Sequence, residues 1–176
     1  MRFTPTGLDG LVVVDIDPHM DDRGFFARTF CAELFAAAGL PTTFVQCNTS
    51  FNRLSGTLRG LHYQDSPHPE GKLVRCTRGS AFDVAVDIRA ESPTFRRWFG
   101  IELSAANGRA LWIPPGFAHG FATLTDETEL FYQITAFYHQ DLSRGLRWND
   151  PAFAIDWPVR EPIVSPRDAD NPFFAG

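Results

Sequence analysis

The chain has 176 residues, 44% hydrophobic and 21% charged, which is an ordinary globular composition long enough for a substantial core and is expected to form one domain over residues 1–176. Its formal net charge of −5 argues against nucleic acid or an anionic membrane surface as a partner, so an anionic ligand would have to be met by locally placed arginines. Cys31, Cys47 and Cys76 are widely spaced and form neither a disulfide framework nor a zinc motif. They read as small buried hydrophobes in a reducing compartment. No run approaches the roughly 18 apolar residues of a membrane span, and the start lacks a signal-peptide pattern, so a cytoplasmic location is expected.

In chain order, the β-branched run from Leu11 to Asp17 reads as a strand ended by Pro18. Asp21 to Gly24 is a turn, and Phe25 to Phe30 reads as a second strand. Cys31 to Ala38 carries the one clear helix signal, with Thr29 as its cap and Gly39 and Pro41 as its stop. Strands are then expected at Phe44–Asn48, Thr57–Gln64, Lys72–Thr77, Ala81–Arg89, Arg97–Leu103, Arg109–Ile113, His119–Leu124 and Glu129–Tyr138. Between them lie turn signals such as Arg78-Gly79, Asn107-Gly108 and Pro114-Pro115-Gly116. In Ala81–Arg89, Phe82, Val84, Val86 and Ile88 share one face while Asp83 and Asp87 take the polar one. In the last strand Leu130, Tyr132, Ile134 and Tyr138 fall on one side. Many short strands at this spacing predict an all-β sandwich or barrel with one or two short helices. From Trp148 the tail carries prolines 151, 158, 162, 166 and 172; it is expected to be irregular, to wrap the barrel and to be able to deliver Asp168 to a site built elsewhere.

The chemistry is concentrated between Thr57 and Lys72. A strand presents Arg59 and His62, a Pro-rich loop turns the chain, and the next strand opens with Lys72. A permanent cation, a group titrating near neutrality and a second cation on adjacent strands suit a phosphate-bearing substrate that must exchange a proton. An ordinary hairpin with solvated charges is the competing reading of that stretch alone.

Two spacings resemble the halves of the cupin signature, which implies a jelly roll: Gly56-(five residues)-His62-Tyr63-Gln64, and Gly108-(five residues)-Pro114-Pro115-Gly116-Phe117-Ala118-His119. Gln64 stands where a metal-binding cupin has its second His, and Thr123 replaces the Asn after the last one. His62, His119 and Glu70 are too few for a three-His-and-carboxylate shell, so no metal is expected and a metal-dependent oxygenase is disfavoured. At closer range the segments Thr57-Leu58-Arg59-Gly60-Leu61-His62-Tyr63-Gln64 and Pro114-Pro115-Gly116-Phe117-Ala118-His119-Gly120-Phe121, with Asp22-Arg23-Gly24-Phe25-Phe26, Gln46 to Ser50, Lys72 to Cys76, Phe82 to Arg89 and Trp148 to Pro151, resemble the dTDP-4-dehydrorhamnose 3,5-epimerase family nearly end to end.

The resemblance implies a cofactor-independent isomerase acting on a nucleotide-linked 4-keto-6-deoxyhexose, a dTDP-sugar, through an enolate. It assigns His62 as general base, Asp168 as the carboxylate that orients it, Tyr132 as the acid across the ring, and Lys72 as the cation at the enolate oxygen, held by Asp83. Arg23 and Arg59 match diphosphate contacts. Phe26, Gln46 and Asn48 match the nucleotide pocket, and His119, Tyr138 and Arg167 the surroundings of the sugar. Arg28 stands where the family often has Glu, which bears on nucleotide preference; His139-Gln140 replaces Pro-Glu after the catalytic strand. A homodimer is implied, with Arg23 to Phe30 crossing to complete the partner's site. A sister enzyme that inverts one carbon, and a sugar-nucleotide-binding cupin without catalysis, are the alternatives.

Overall fold

The computed structural model describes residues 1–175. Among them the chain forms fourteen strands and two short helices. At the N-terminus are β1 (Arg2–Pro5), β2 (Val12–Asp15), the hairpin β3 (His19–Asp21) and β4 (Gly24–Phe26), and helix α1 (Ala32–Ala37). The central strands are β5 (Gln46–Asn52), β6 (Thr57–Gln64), β7 (Lys72–Arg78), β8 (Ser80–Asp87) and β9 (Trp98–Ser104). After these come β10 (Ala110–Ile113), β11 (Phe117–Thr123), β12 (Thr128–Ile134), β13 (Ser143–Gly145), β14 (Ile163–Val164) and helix α2 (Pro166–Ala169).

The long strands make two facing sheets, β1-β2-β10-β7-β12-β5 and β13-β6-β11-β8-β9, with the pairings antiparallel except for β14 on β6. This is the expected jelly roll. One end of the space between the sheets is filled by Leu11, Val13, Val74, Leu103, Leu111, Ile113, Phe121 and Leu130, all buried. The other end is left open and becomes the site. Both outer faces are also covered. Phe35 of α1, with Phe30 and Phe44, seals Leu73 and Trp112 of the first sheet, while Phe153, Trp157 and Phe174 from the tail seal Leu61, Val84, Val86 and Ala118 of the second.

That double covering corrects the reading of β8. Phe82, Val84, Val86 and Ile88 do share a face, but it lies under the tail, and Asp83 and Asp87 point into the protein and are fully buried rather than solvated. A buried charge must be paired. Asp87 accepts from Arg89, Ser92 and Thr94, and these donors outweigh its burial and hold its carboxyl down to about 2.

Several other expectations change. The segment Phe25–Phe30 is not a full strand, because the chain leaves the β3–β4 hairpin at Phe26. The residue before the helix is an extended Cys31, not Thr29, and no side chain caps α1; the Thr29 carbonyl instead accepts from Arg75. Gly39 does stop the helix, with φ +71 in the left-handed region. The last long strand ends at Ile134, so Tyr138 lies on a loop. The proline-rich tail is not wholly irregular. Of the three thiols only Cys76 is buried; Cys47 is exposed because β5 is a sheet edge, and Cys31 is partly covered. No helix among the described residues is long and apolar enough to cross a membrane.

Candidate active site

The open end of the barrel is a cavity of about 330 Å³, within the range of small-ligand sites. Each sheet supplies one wall. Strands β5, β7 and β12 contribute Gln46, Asn48, Ser50, Lys72 and Tyr132, while β6 and β11 contribute Arg59, His62 and His119 from the opposite side. Tyr138 and Arg167 stand at the rim, from the loop after β12 and from α2.

The wall carrying His62 depends on two glycines. Gly60 has φ +127, and a Cβ there would lie 2.6 Å from Gly120 Cα and 2.9 Å from the His119 carbonyl oxygen. Only glycine lets β6 and β11 approach so closely, and the β6–β11 register shifts between His119 and Phe121. His62 and His119 are cross-strand partners, which sets the two imidazoles side by side.

Each imidazole is backed by a carboxylate. His62 Nε2 is 2.6 Å from Asp168 Oδ1, while the His62 ring stays open to the cavity. Asp168 arrives from the tail, where Ser165 caps α2 by accepting from the Asp168 N–H at 3.1 Å and Pro166 opens the helix. The Gly60 N–H reaches the second carboxylate oxygen at 3.4 Å. Burial would raise the Asp168 pKa, but the bond and charge of His62 outweigh it and hold the carboxyl below the usual range. His119 is likewise bonded to the buried Asp83, at 2.9 and 3.1 Å.

Asp83 therefore does not hold Lys72, contrary to expectation. Lys72 Nζ is 2.9 Å from Glu70 Oε1 and 3.4 Å from the His62 carbonyl oxygen. Glu70 stands two residues before Lys72, just outside β7, and both side chains line the cavity. Tyr132 lies edge-on to His119, with ring centroids 6.0 Å apart. Burial, reinforced by the Asp83 carboxylate, drives its phenol pKa far above the ordinary value, so it is a proton donor at neutral pH.

Arg59 Nε donates to Asn52 Oδ1 at 2.7 Å, which fixes the guanidinium at the cavity edge. Gln46 Oε1 accepts from the Tyr138 N–H at 2.9 Å, tying the rim loop to β5. Gln64, at the cupin metal position, commits its amide to backbone, donating to the His68 and Phe137 carbonyls and accepting from the His139 N–H. Tyr63, Ser50 and Ser143 also line the cavity; the first two lie in the matching segments but were assigned no role, and Ser143 lies outside them.

Three expected contacts are not brought together with the rest. Arg23, 89% exposed, is folded back on Asp21, and Phe26, 75% exposed, belongs to the projecting hairpin. Phe26 and Arg28 line a separate cleft with Met1, Asp17, His19 and Leu34. Within one chain none of the three reaches the His62 cavity.

Comparisons with known proteins identify the family of this chain. The family profile described as dTDP-4-dehydrorhamnose 3,5-epimerase matches residues 5–176. A relative of that name from Shigella flexneri is 46% identical over 175 residues, covering 99% of this chain and 96% of its own length. The crystal structure of the Bacillus anthracis enzyme of that name, with TDP and PPi bound, superposes with a TM-score of 0.96 at 39% identity, covering 98% of this chain and 99% of its own. A Legionella pneumophila dTDP-6-deoxy-D-glucose-3,5-epimerase in complex with dTDP-4-keto-L-rhamnose gives 0.92 at 42% identity, covering 98% and 92% of the two chains. A profile match across residues 5–176, with relatives 39–46% identical over nearly the whole chain, places this protein in the dTDP-4-dehydrorhamnose 3,5-epimerase family.

Proposed function

We propose that this chain converts a dTDP-linked 4-keto-6-deoxyglucose into the 4-keto-rhamnose by inverting the two carbons that flank the ketone. His62 takes a proton from one face of the ring, and Asp168 orients the imidazole and stabilises the cation it becomes. The electron pair moves onto the ketone oxygen, where the Lys72 ammonium meets the developing charge. Tyr132 then delivers a proton from the opposite face, which inverts the carbon. Exchange with solvent then takes the proton from His62 and returns one to Tyr132, so that the same cycle at the second carbon completes the reaction, and no cofactor is needed because each step moves only a proton and an electron pair.

Arg59 and Arg167 at the cavity edge suit the diphosphate. Gln46 and Asn48 on β5 suit the nucleotide end. The hairpin bearing Arg23 and Phe26, with Arg28 behind it, completes the site of a second copy in a homodimer; the exposure of Met20, Phe25 and Phe26 supports this arrangement. The free thiols fit work in the reducing cytoplasm.

The observation that carries the reading is the placement of His62 and Tyr132 on opposite sheets facing one cavity, with Lys72 beside them. Incubation with the dTDP-4-keto-6-deoxyglucose in D₂O, followed by NMR, tests it. Deuterium is expected at both C3 and C5, and His62→Ala is expected to lose both labels. Label at one carbon would identify a single-carbon epimerase, and wild-type labelling by His62→Ala would remove the base assignment.

A further inference from the structure

We infer that Glu70 is a positioning residue for catalysis, setting the Lys72 ammonium at the enolate oxygen; the inference rests on the role given above to Lys72. Glu70 and Lys72 are joined at 2.9 Å, and their side chains are only 13% and 11% exposed. Lys72 is the cation that reaches Glu70 among the described residues, and both residues line the cavity.

The backbone between them is held on two sides. The Gly71 N–H donates to Thr135 Oγ1 at 2.9 Å, and the Thr135 N–H returns a bond to the Gly71 carbonyl at 3.0 Å. A Cβ on Gly71 would come within 2.3 Å of Trp112 Cη2, so the chain lies flush on the indole ring. Glu70 therefore projects from a fixed point rather than from a free loop, although it is outside β7.

A lysine side chain has four rotatable bonds and substantial rotamer freedom, so its Nζ is not placed by its own backbone. Its second bond, to the His62 carbonyl, is long at 3.4 Å and cannot fix it alone. The Glu70 carboxylate supplies the short, charge-assisted contact that does. Such pre-orientation matters most for a group that acts on charge appearing only in the transition state.

The test compares Glu70→Ala, Glu70→Gln, Lys72→Ala and the Glu70→Ala/Lys72→Ala double variant, with circular dichroism and Tm confirming that each is folded. Misplacing a transition-state group by about 1 Å removes up to about 10²-fold in rate, so Glu70→Ala should lower kcat by about 10- to 100-fold. KM should stay within about threefold, because a ground-state contact is not lost. Glu70→Gln, whose amide oxygen still accepts from Nζ, should recover most of the loss. In the Lys72→Ala background, Glu70→Ala should add nothing, since its effect runs through the ammonium.

Wild-type kcat in Glu70→Ala, no recovery in Glu70→Gln, or a further loss in the double variant would each overturn the inference while leaving the role of Lys72 standing. Wild-type activity in Lys72→Ala would instead remove the role of Lys72, and this inference with it.

Discussion

Replacing Asp168 by Asn tests the link between the tail and the chemistry. Asparagine keeps the size and planarity of the side chain, so the α2 cap from Ser165 should survive, because it uses the Asp168 backbone N–H. What is lost is the negative charge 2.6 Å from His62 Nε2. Hydrogen bonds to charged groups contribute roughly 1.5–3 kcal/mol, and an imidazole that becomes a cation on taking the substrate proton loses that support in full. The expected fall in kcat is therefore about 10- to 150-fold, with little change in KM. Deuterium uptake at C3 and C5 should fall together with product formation, since one base serves both carbons. The folded-state pKa of Asp168 is depressed, so its contribution to stability is present above the unfolded carboxylate range near pH 4 and lost as pH falls through the folded value. The stability gap between wild type and Asp168→Asn should accordingly be widest near neutrality and close below about pH 4. An Asn variant within twofold of wild-type kcat would refute the dyad.

Two further perturbations test the scaffold. Asp87, fully buried and held at about 2 against an ordinary 3.8, contributes roughly 2–3 kcal/mol of stability at neutral pH. Asp87→Asn should lose about that much in urea unfolding at pH 7, with the difference fading between about pH 4 and pH 2; equal stability at pH 7 would contradict the network. Gly60→Ala combines a positive φ with a 2.6 Å approach to Gly120, and should cost roughly 2–4 kcal/mol, read as a clear drop in Tm. An unchanged Tm would mean that β6 and β11 can separate freely.

Much of the fold was legible because its strands obey period-two patterning and carry Gly and Pro between them. Thr57–Gln64 is recovered with its ends unchanged, and β10, β11 and β12 begin within two residues of expectation. The misreadings share a physical origin. Asp83 looked solvated because alternation reveals which residues share a face and not whether that face meets water; here the tail and the opposite sheet bury both sides of β8. Its assignment to Lys72 failed for the same reason, since long-range partners are set by sheet packing. The actual partner, Glu70, is two residues away in the chain but outside β7, where strand alternation gives no side-chain direction. The stretch holding His62 and Lys72 stood out from its residue types, while the roles of His62, Lys72, Tyr132 and Asp168 came from the resemblance; the 106 residues between His62 and its carboxylate explain why pattern reasoning could not pair them. Arg23, Phe26 and Arg28 lie away from the His62 cavity of their own chain, on and behind the projecting hairpin, a placement that residue patterning could not give and that only the resemblance anticipated.

If base and acid act from opposite walls on one ring, removing the phenol in Tyr132→Phe should change the stereochemistry of exchange. With the phenol gone and His62 intact, proton removal and return should both take place on the His62 face. The substrate should then gain deuterium at the exchanging carbons while keeping its starting configuration, as read by NMR chemical shifts matching those of the unlabelled substrate. Inverted product formed at the wild-type rate by Tyr132→Phe would contradict the account.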